Sequence, residues 1–149
     1  MMLELAKSYK KSGGSDLIGV IAKDLMKVTK NYVIFEELDE KYLVPTIEER
    51  KKTIIEKADA FLILPGGYGT LEEISTILGG RVNKLFDKPI AFLNLDGFYD
   101  NLFSFFSIVK KEKFSKIEYQ ELCFVSNSIE DIILYYKNYK KHELVDKFI

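Results

Sequence analysis

Short apolar runs alternate along the chain with segments whose apolar residues recur at helical spacing. Residues 17–21 (LIGVI), 32–35 (YVIF), 61–64 (FLIL), 89–93 (PIAFL) and 122–125 (LCFV) predict short strands. Between them, residues 1–12 place Leu3, Leu5, Ala6 and Tyr9 on one side of a helix that Gly13-Gly14 stops. Pro45 opens a second helix over 46–57 with Ile47, Ile54 and Ile55 apolar, and Thr70 opens a third that runs to Gly79-Gly80. Leu102, Phe103, Phe105, Phe106 and Val109 form the apolar face of a fourth. Ser128 caps a last one whose Ile129, Ile132, Ile133 and Tyr136 face inward. Residues 22–28 read as a short helix or turn, 36–41 as a charged, solvated connection, and the lysine-rich tail from Lys137 as a fraying end. This alternation predicts an α/β domain built on a parallel sheet.

The stretch 61–73, FLILPGGYGTLEE, organises the rest. Its four apolar residues suit a central strand buried on both faces. Pro65-Gly66-Gly67 ends that strand, because proline cannot donate to a ladder and glycine accepts sharp backbone angles. Gly69 keeps the turn narrow, and Thr70 is a good N-cap. Free backbone N–H groups and the positive end of a helix point outward together at such a junction, and both favour phosphate. The turn also lies where open α/β sheets bind ligands, beyond the C-terminal end of a strand. A purely structural alternative exists, since Thr70 and Glu73 have the spacing of a capping box. The stretch is neither a Walker A loop, lacking its lysine, nor a dinucleotide fingerprint, lacking its G-x-G-x-x-G spacing.

Composition narrows the function classes. The length of 149 residues is that of one ordinary domain, and no linker or repeat divides it. A net charge of -1 with both signs mixed argues against a nucleic-acid partner. No run approaches the roughly 18 apolar residues of a membrane span, and no apolar signal region opens the chain. Cys123 is the single cysteine, which suits a reducing, cytoplasmic compartment and leaves no cysteine cluster for a metal. His142, also single, lies among lysines and reads as solvated. From composition alone, the charge run 48–52 is a solvent-facing helix surface.

The residues 65–73, PGGYGTLEE, match the PGGxGTxxE motif of the LOG family, formerly called possible lysine decarboxylases. Upstream, Glu49-Arg50-Lys51 is similar to the family's M-x-x-R-K signature, with Ile47 in place of its methionine. The resemblance extends to GG…IGVI (13–21) and FLNLDGFY (92–99), and so over essentially the whole chain. It implies a Rossmann-like fold with helices on both faces of a parallel sheet, a homodimer, and no cofactor or metal. The implied activity is hydrolysis of the N-glycosidic bond of a cytokinin or purine nucleoside 5'-monophosphate, giving free base and ribose 5-phosphate. Arg50 and Glu73 are then the catalytic pair, and Lys51, Gly66, Gly67, Gly69 and Thr70 the substrate-binding residues. The resemblance further implies that an N-terminal part with two glycine-rich loops is missing. The alternative it leaves is a catalytically weak nucleotide-binding or interaction protein that retains part of the fold.

Overall fold

In the computed structural model, residues 2–28 and 34–146 are described, and the chain divides into two units, Met1–Ala58 and Asp59–Ile149. The first unit runs α1 (Met2–Lys11), β1 (Ile18–Ala22), α2 (Lys23–Val28), β2 (Glu40–Val44) and α3 (Ile47–Lys57). Gly13 supplies the stop expected of it. With φ at +80° it lets its own N–H reach Lys10 O and that of Gly14 reach Tyr9 O, so the last carbonyls of α1 are used. β1 and β2 pair in parallel, from Ile18 opposite Glu40 to Ala22 opposite Val44.

That second strand is not the one the apolar run 32–35 predicted. Tyr32 and Val33 lie outside the described residues, and Ile34 and Phe35 belong to no regular element. The strand is EKYLV, inside and just beyond the stretch read as a solvated connection. Tyr42 and Val44 are half-buried while Lys41 and Leu43 are exposed, the period-2 pattern of a strand covered on one face. Charged residues at its start hid that alternation. Lys57 of α3 places its ammonium 3.8 Å from the centre of the Tyr42 ring.

The second unit runs β3 (Phe61–Ile63), α4 (Tyr68–Val82), β4 (Ile90–Leu93), a 3₁₀ turn (Leu95–Gly97), α5 (Asp100–Lys111), α6 (Tyr119–Leu122), β5 (Phe124–Ser126) and α7 (Ile129–Asn138). Its strands are parallel in the order β3-β4-β5. β4 is the strand buried on both faces, with Ile90, Ala91 and Phe92 fully withdrawn from solvent. β3, expected in that role, takes an outer place in this sheet, and its Leu62 is 43% exposed. Parallel strands alternating with helices place the protein in the Rossmann-like α/β class.

Three further expectations shift. α4 begins at Tyr68 with Gly67 as its N-cap, because Leu71 N already donates to Gly67 O at 3.0 Å. Thr70 is therefore inside the first turn and is not the N-cap expected of it, so the capping-box alternative loses its cap residue. α4 also continues past Gly79-Gly80 to Val82. In α7 the Ser128 cap is as expected, accepting from Asp131 N at 3.2 Å, but Ile132 alone of the predicted inward isoleucines is buried. Tyr136 completes that face, donating its hydroxyl to Phe61 O at 2.8 Å.

The tail does not fray at Lys137. Arg81, 3% exposed, forms an ion pair with Asp87 at 2.8 Å and donates to Tyr139 Oη and His142 O, both at 3.2 Å. His142 is exposed but tied, its backbone N–H donating to Asp87 at 3.0 Å. Leu144 is 4% exposed. A buried guanidinium needs partners for its donors, and the tail supplies them.

Candidate active site

The second unit brings together Gly66, Gly67, Gly69, Thr70 and Glu73 on one strand–turn–helix element. The three glycines stand for different reasons. A Cβ on Gly66 would lie 2.1 Å from Thr70 Oγ1, so the Thr70 side chain itself requires glycine there. A Cβ on Gly67 or Gly69 would meet nothing within 4 Å, and neither residue has a positive φ. Neither packing nor backbone conformation within the chain demands those two glycines.

Gly66 and Gly67 lie in the turn before a helix of 15 residues, and Gly69, expected to narrow that turn, is instead inside the first turn of the helix. Gly67, Tyr68 and Gly69 are exposed, Tyr68 at 92%. No side chain caps this terminus, and the first helical bond is made by Leu71 N. The amides of Tyr68, Gly69 and Thr70 precede it and have no acceptor within the helix. Their dipoles, summed with the helix, favour an anion at this point. Glu73, half-buried, lies one helical turn further along α4.

The first unit carries Arg50 and Lys51 on α3. Thr46 caps this helix, its Oγ1 accepting from Glu49 N at 3.2 Å. Asp24, two residues beyond β1, accepts from Ile47 N at 3.3 Å, while its own N–H donates to Pro45 O at 3.3 Å. These bonds tie the start of α3 to the end of β1. The charge run 48–52, read from composition as a uniform solvated face, is split. Glu48 and Glu49 are exposed, and Lys52 pairs loosely with Glu56 at 3.9 Å. Arg50 turns inward and donates Nε to Val20 O of β1 at 3.1 Å. One side of the guanidinium is thereby fixed on the sheet, and its planar fork is aimed by that bond.

Sequence reasoning did not single out Asp24, Asn94 or Tyr99. Asn94 Oδ1 accepts from Tyr99 N at 2.7 Å, and Asn94 Nδ2 donates to Asp100 at 2.8 Å. The Tyr99 hydroxyl donates to Leu64 O at 2.7 Å, directly before the glycine turn. The motif 92–99 was visible as a likeness, but a likeness of sequence carries no statement of what a buried hydroxyl touches. A cavity of about 490 Å³ lies elsewhere in this unit, against Cys123, Tyr135 and Tyr139, and none of the predicted site residues lines it.

A parallel α/β scaffold with a glycine-rich turn leading from a strand into a helix defines a protein of the Rossmann-like α/β class. The chain belongs to the LOG family, whose model, described as "Possible lysine decarboxylase", matches residues 2–135. It is similar to the cytokinin riboside 5'-monophosphate phosphoribohydrolase LOG of Oryza sativa subsp. japonica, with 35% identity over 127 residues, covering 85% of this chain and 51% of that protein. A probable enzyme of the same name from that species, LOGL6, is 39% identical over 103 residues, covering 69% of this chain and 40% of its own length. A cytokinin riboside 5'-monophosphate phosphoribohydrolase of Arabidopsis thaliana is 33% identical over 135 residues, covering 90% of this chain and 62% of its own. The chain thus spans about half the length of the curated relatives it matches. No helix among the described residues is long and apolar enough to cross a membrane.

Proposed function

We propose that this protein hydrolyses the N-glycosidic bond of a purine or cytokinin nucleoside 5'-monophosphate, releasing the base and ribose 5-phosphate. The observation that carries this reading is the pair Gly67 and Gly69. They are glycines where the chain's own packing and backbone angles ask for none, at the open start of α4. A phosphoribosyl group approaching the backbone closely gives them a reason to be there. The relatives' names point to the same substrate class.

In this reading the amides at the start of α4 receive the 5'-phosphate, with Gly66 and Thr70 shaping the turn and Lys51 adding positive charge. As the glycosidic bond lengthens, positive charge develops on the anomeric carbon and ring oxygen. The Glu73 carboxylate stabilises that charge or takes a proton from the attacking water. Arg50 is the second catalytic residue, as the family resemblance implies. The water oxygen ends on the anomeric carbon, and the bond's electron pair leaves with the base, which gains a proton. The working form is a cytoplasmic homodimer.

The test is base release from AMP and from a cytokinin riboside monophosphate, followed by chromatography. Glu73→Gln and Arg50→Ala are each expected to slow release by about a hundredfold or more. No release above the Glu73→Ala background would sink the proposal. Nucleotide binding without turnover would leave a nucleotide-binding protein in its place.

A further inference from the structure

The β4–α5 connection reaches across to the turn that starts α4. Tyr99 is 2% exposed, and its ring stands edge-on to Phe92 of β4 at 5.2 Å between centres. Its backbone N–H is held by Asn94 Oδ1 at 2.7 Å, and Asn94 N donates to Ser126 O at 2.8 Å. The tyrosine is therefore fixed at both ends of its residue, by core packing and by a hydrogen bond chain running into β5. What remains is the hydroxyl, which donates to Leu64 O at 2.7 Å. Leu64 is the last residue before Pro65-Gly66-Gly67, and Pro65 has no N–H with which to hold its own position. Burial pushes the Tyr99 hydroxyl up from its ordinary pKa, while the Gly66 backbone amide acts on it in the opposite sense. The hydroxyl thus faces the turn on both sides of the proline.

We propose that Tyr99 is a positioning residue, whose hydroxyl fixes the Leu64 carbonyl and so sets the glycine turn in the one conformation that receives a phosphoribosyl group. The inference rests on the phosphoribohydrolase reading and adds to it a residue outside the PGGxGTxxE and Arg-Lys signatures. Its physical basis is a population. Gly66 and Gly67 give the turn many accessible conformations, and binding selects one. A hydrogen bond present before the ligand arrives removes that cost, since apparent affinity scales with the fraction already competent. Tyr99→Phe deletes the bond, leaves the ring, and leaves the Leu64 carbonyl without its partner.

The experiment uses the full chain and reads both ribose 5-phosphate binding, by calorimetry, and steady-state base release from AMP. For Tyr99→Phe, Kd for ribose 5-phosphate and KM for AMP are each expected to rise about tenfold, with kcat within about threefold, as a single net hydrogen bond allows. Asn94→Ala, which frees the Tyr99 backbone without touching its hydroxyl, moves Kd the same way by a smaller factor. Phe103→Leu loosens the same aromatic cluster, in which its ring lies 5.1 Å from that of Phe92. It lowers the melting temperature without raising Kd. A merely structural tyrosine behaves like Phe103, losing active protein at unchanged KM, and that pattern overturns the proposal. So do Kd values for Tyr99→Phe and wild type within twofold of each other, an outcome that leaves the enzymatic reading intact. Wild-type protein that releases no base and binds no ribose 5-phosphate removes both.

Discussion

Arg50 and the glycine turn rest on supports of different kinds. In the second unit the turn follows a sheet whose β4 strand has three consecutive residues with no solvent exposure, and Ile74, Ile77 and Leu78 of α4 are buried. In the first unit β1 buries Ile21 and Ala22, and α1, α2 and α3 bury no residue at all. Arg50 is held instead by polar bonds, namely its own to Val20 O, the Asp24 link and the Thr46 cap. Apolar packing is nondirectional and large, whereas hydrogen bonds are directional and individually small. The half that must present a backbone turn is built on packing. The half that must aim a guanidinium is built on hydrogen bonds.

The largest expected effect tests that division directly. Phe92→Ala empties a fully buried site and is expected to cost about 3–5 kcal/mol of stability in urea unfolding. Ile21→Val, at the best-buried position of its size in β1, is expected to cost about 1 kcal/mol. Amide exchange should follow the same order, with β4 amides opening only in global unfolding and β1–β2 amides opening at lower free energy. Equal costs and equal protection would erase the contrast between the units.

What was readable in the sequence follows the same line. Strands with a continuous apolar run, such as 61–64 and 89–93, were found because the run itself is legible in composition, although only β4 is buried on both faces. β2 was missed because one exposed face and a charged start broke the run, so that period-2 alternation over EKYLV competed with a plain reading as charged loop. The N-cap of α4 was placed three residues late, at Thr70 instead of Gly67, because Thr70 is the better capping side chain. Gly67 caps through backbone geometry alone, which side-chain preference does not register. At the site, the motif residues were legible as types and spacings. The inward turn of Arg50 depends on an acceptor 30 positions away in β1, and the role of Tyr99 on one 35 positions away. The tail escaped for a similar reason, since its lysines spoke of solvent while Tyr139 meets Arg81 and Leu144 is buried.

A matched pair of helix caps sharpens the comparison. Thr46 caps α3 and Ser128 caps α7, each hydroxyl accepting from the amide three residues on at 3.2 Å. Replacing either with alanine is expected to cost about 1 kcal/mol. Their functional consequences should differ. Arg50 N closes the first turn of α3 on Thr46 O, so loosening that turn moves the guanidinium, while α7 carries no candidate residue. Thr46→Ala should lower base release by a few-fold at matched folded fraction, and Ser128→Ala should leave it unchanged. An equal loss in both variants would mean that activity follows overall stability and not the aim of Arg50.

The smallest effect concerns acid. The Lys10 ammonium and the Leu17 backbone N–H, each 2.7 Å from an Asp39 oxygen, hold that carboxyl below its ordinary value. Asp146 is lowered too, by its ion pair with Lys84, but that pair is exposed and involves no backbone group. A carboxyl whose folded pKa is depressed binds fewer protons folded than unfolded. Its contribution is therefore present above the unfolded value, near 3.9 for an aspartate, and is lost as pH falls through the lower folded value. The two aspartates share this sign but differ in what they release. Protonating Asp39 frees the backbone at the entrance to β1, and protonating Asp146 frees one lysine. Amide exchange at Leu17, followed from pH 6 downward, should accelerate beyond its intrinsic rate as pH falls below the ordinary aspartate value. Asp39→Asn should show the faster exchange already at pH 6 and remove most of that acid dependence, whereas Asp146→Asn should leave the Leu17 profile as it was. A Leu17 profile identical in all three proteins would show that the first unit does not depend on this bond, and the view of it as a hydrogen-bonded scaffold would lose its most exposed joint.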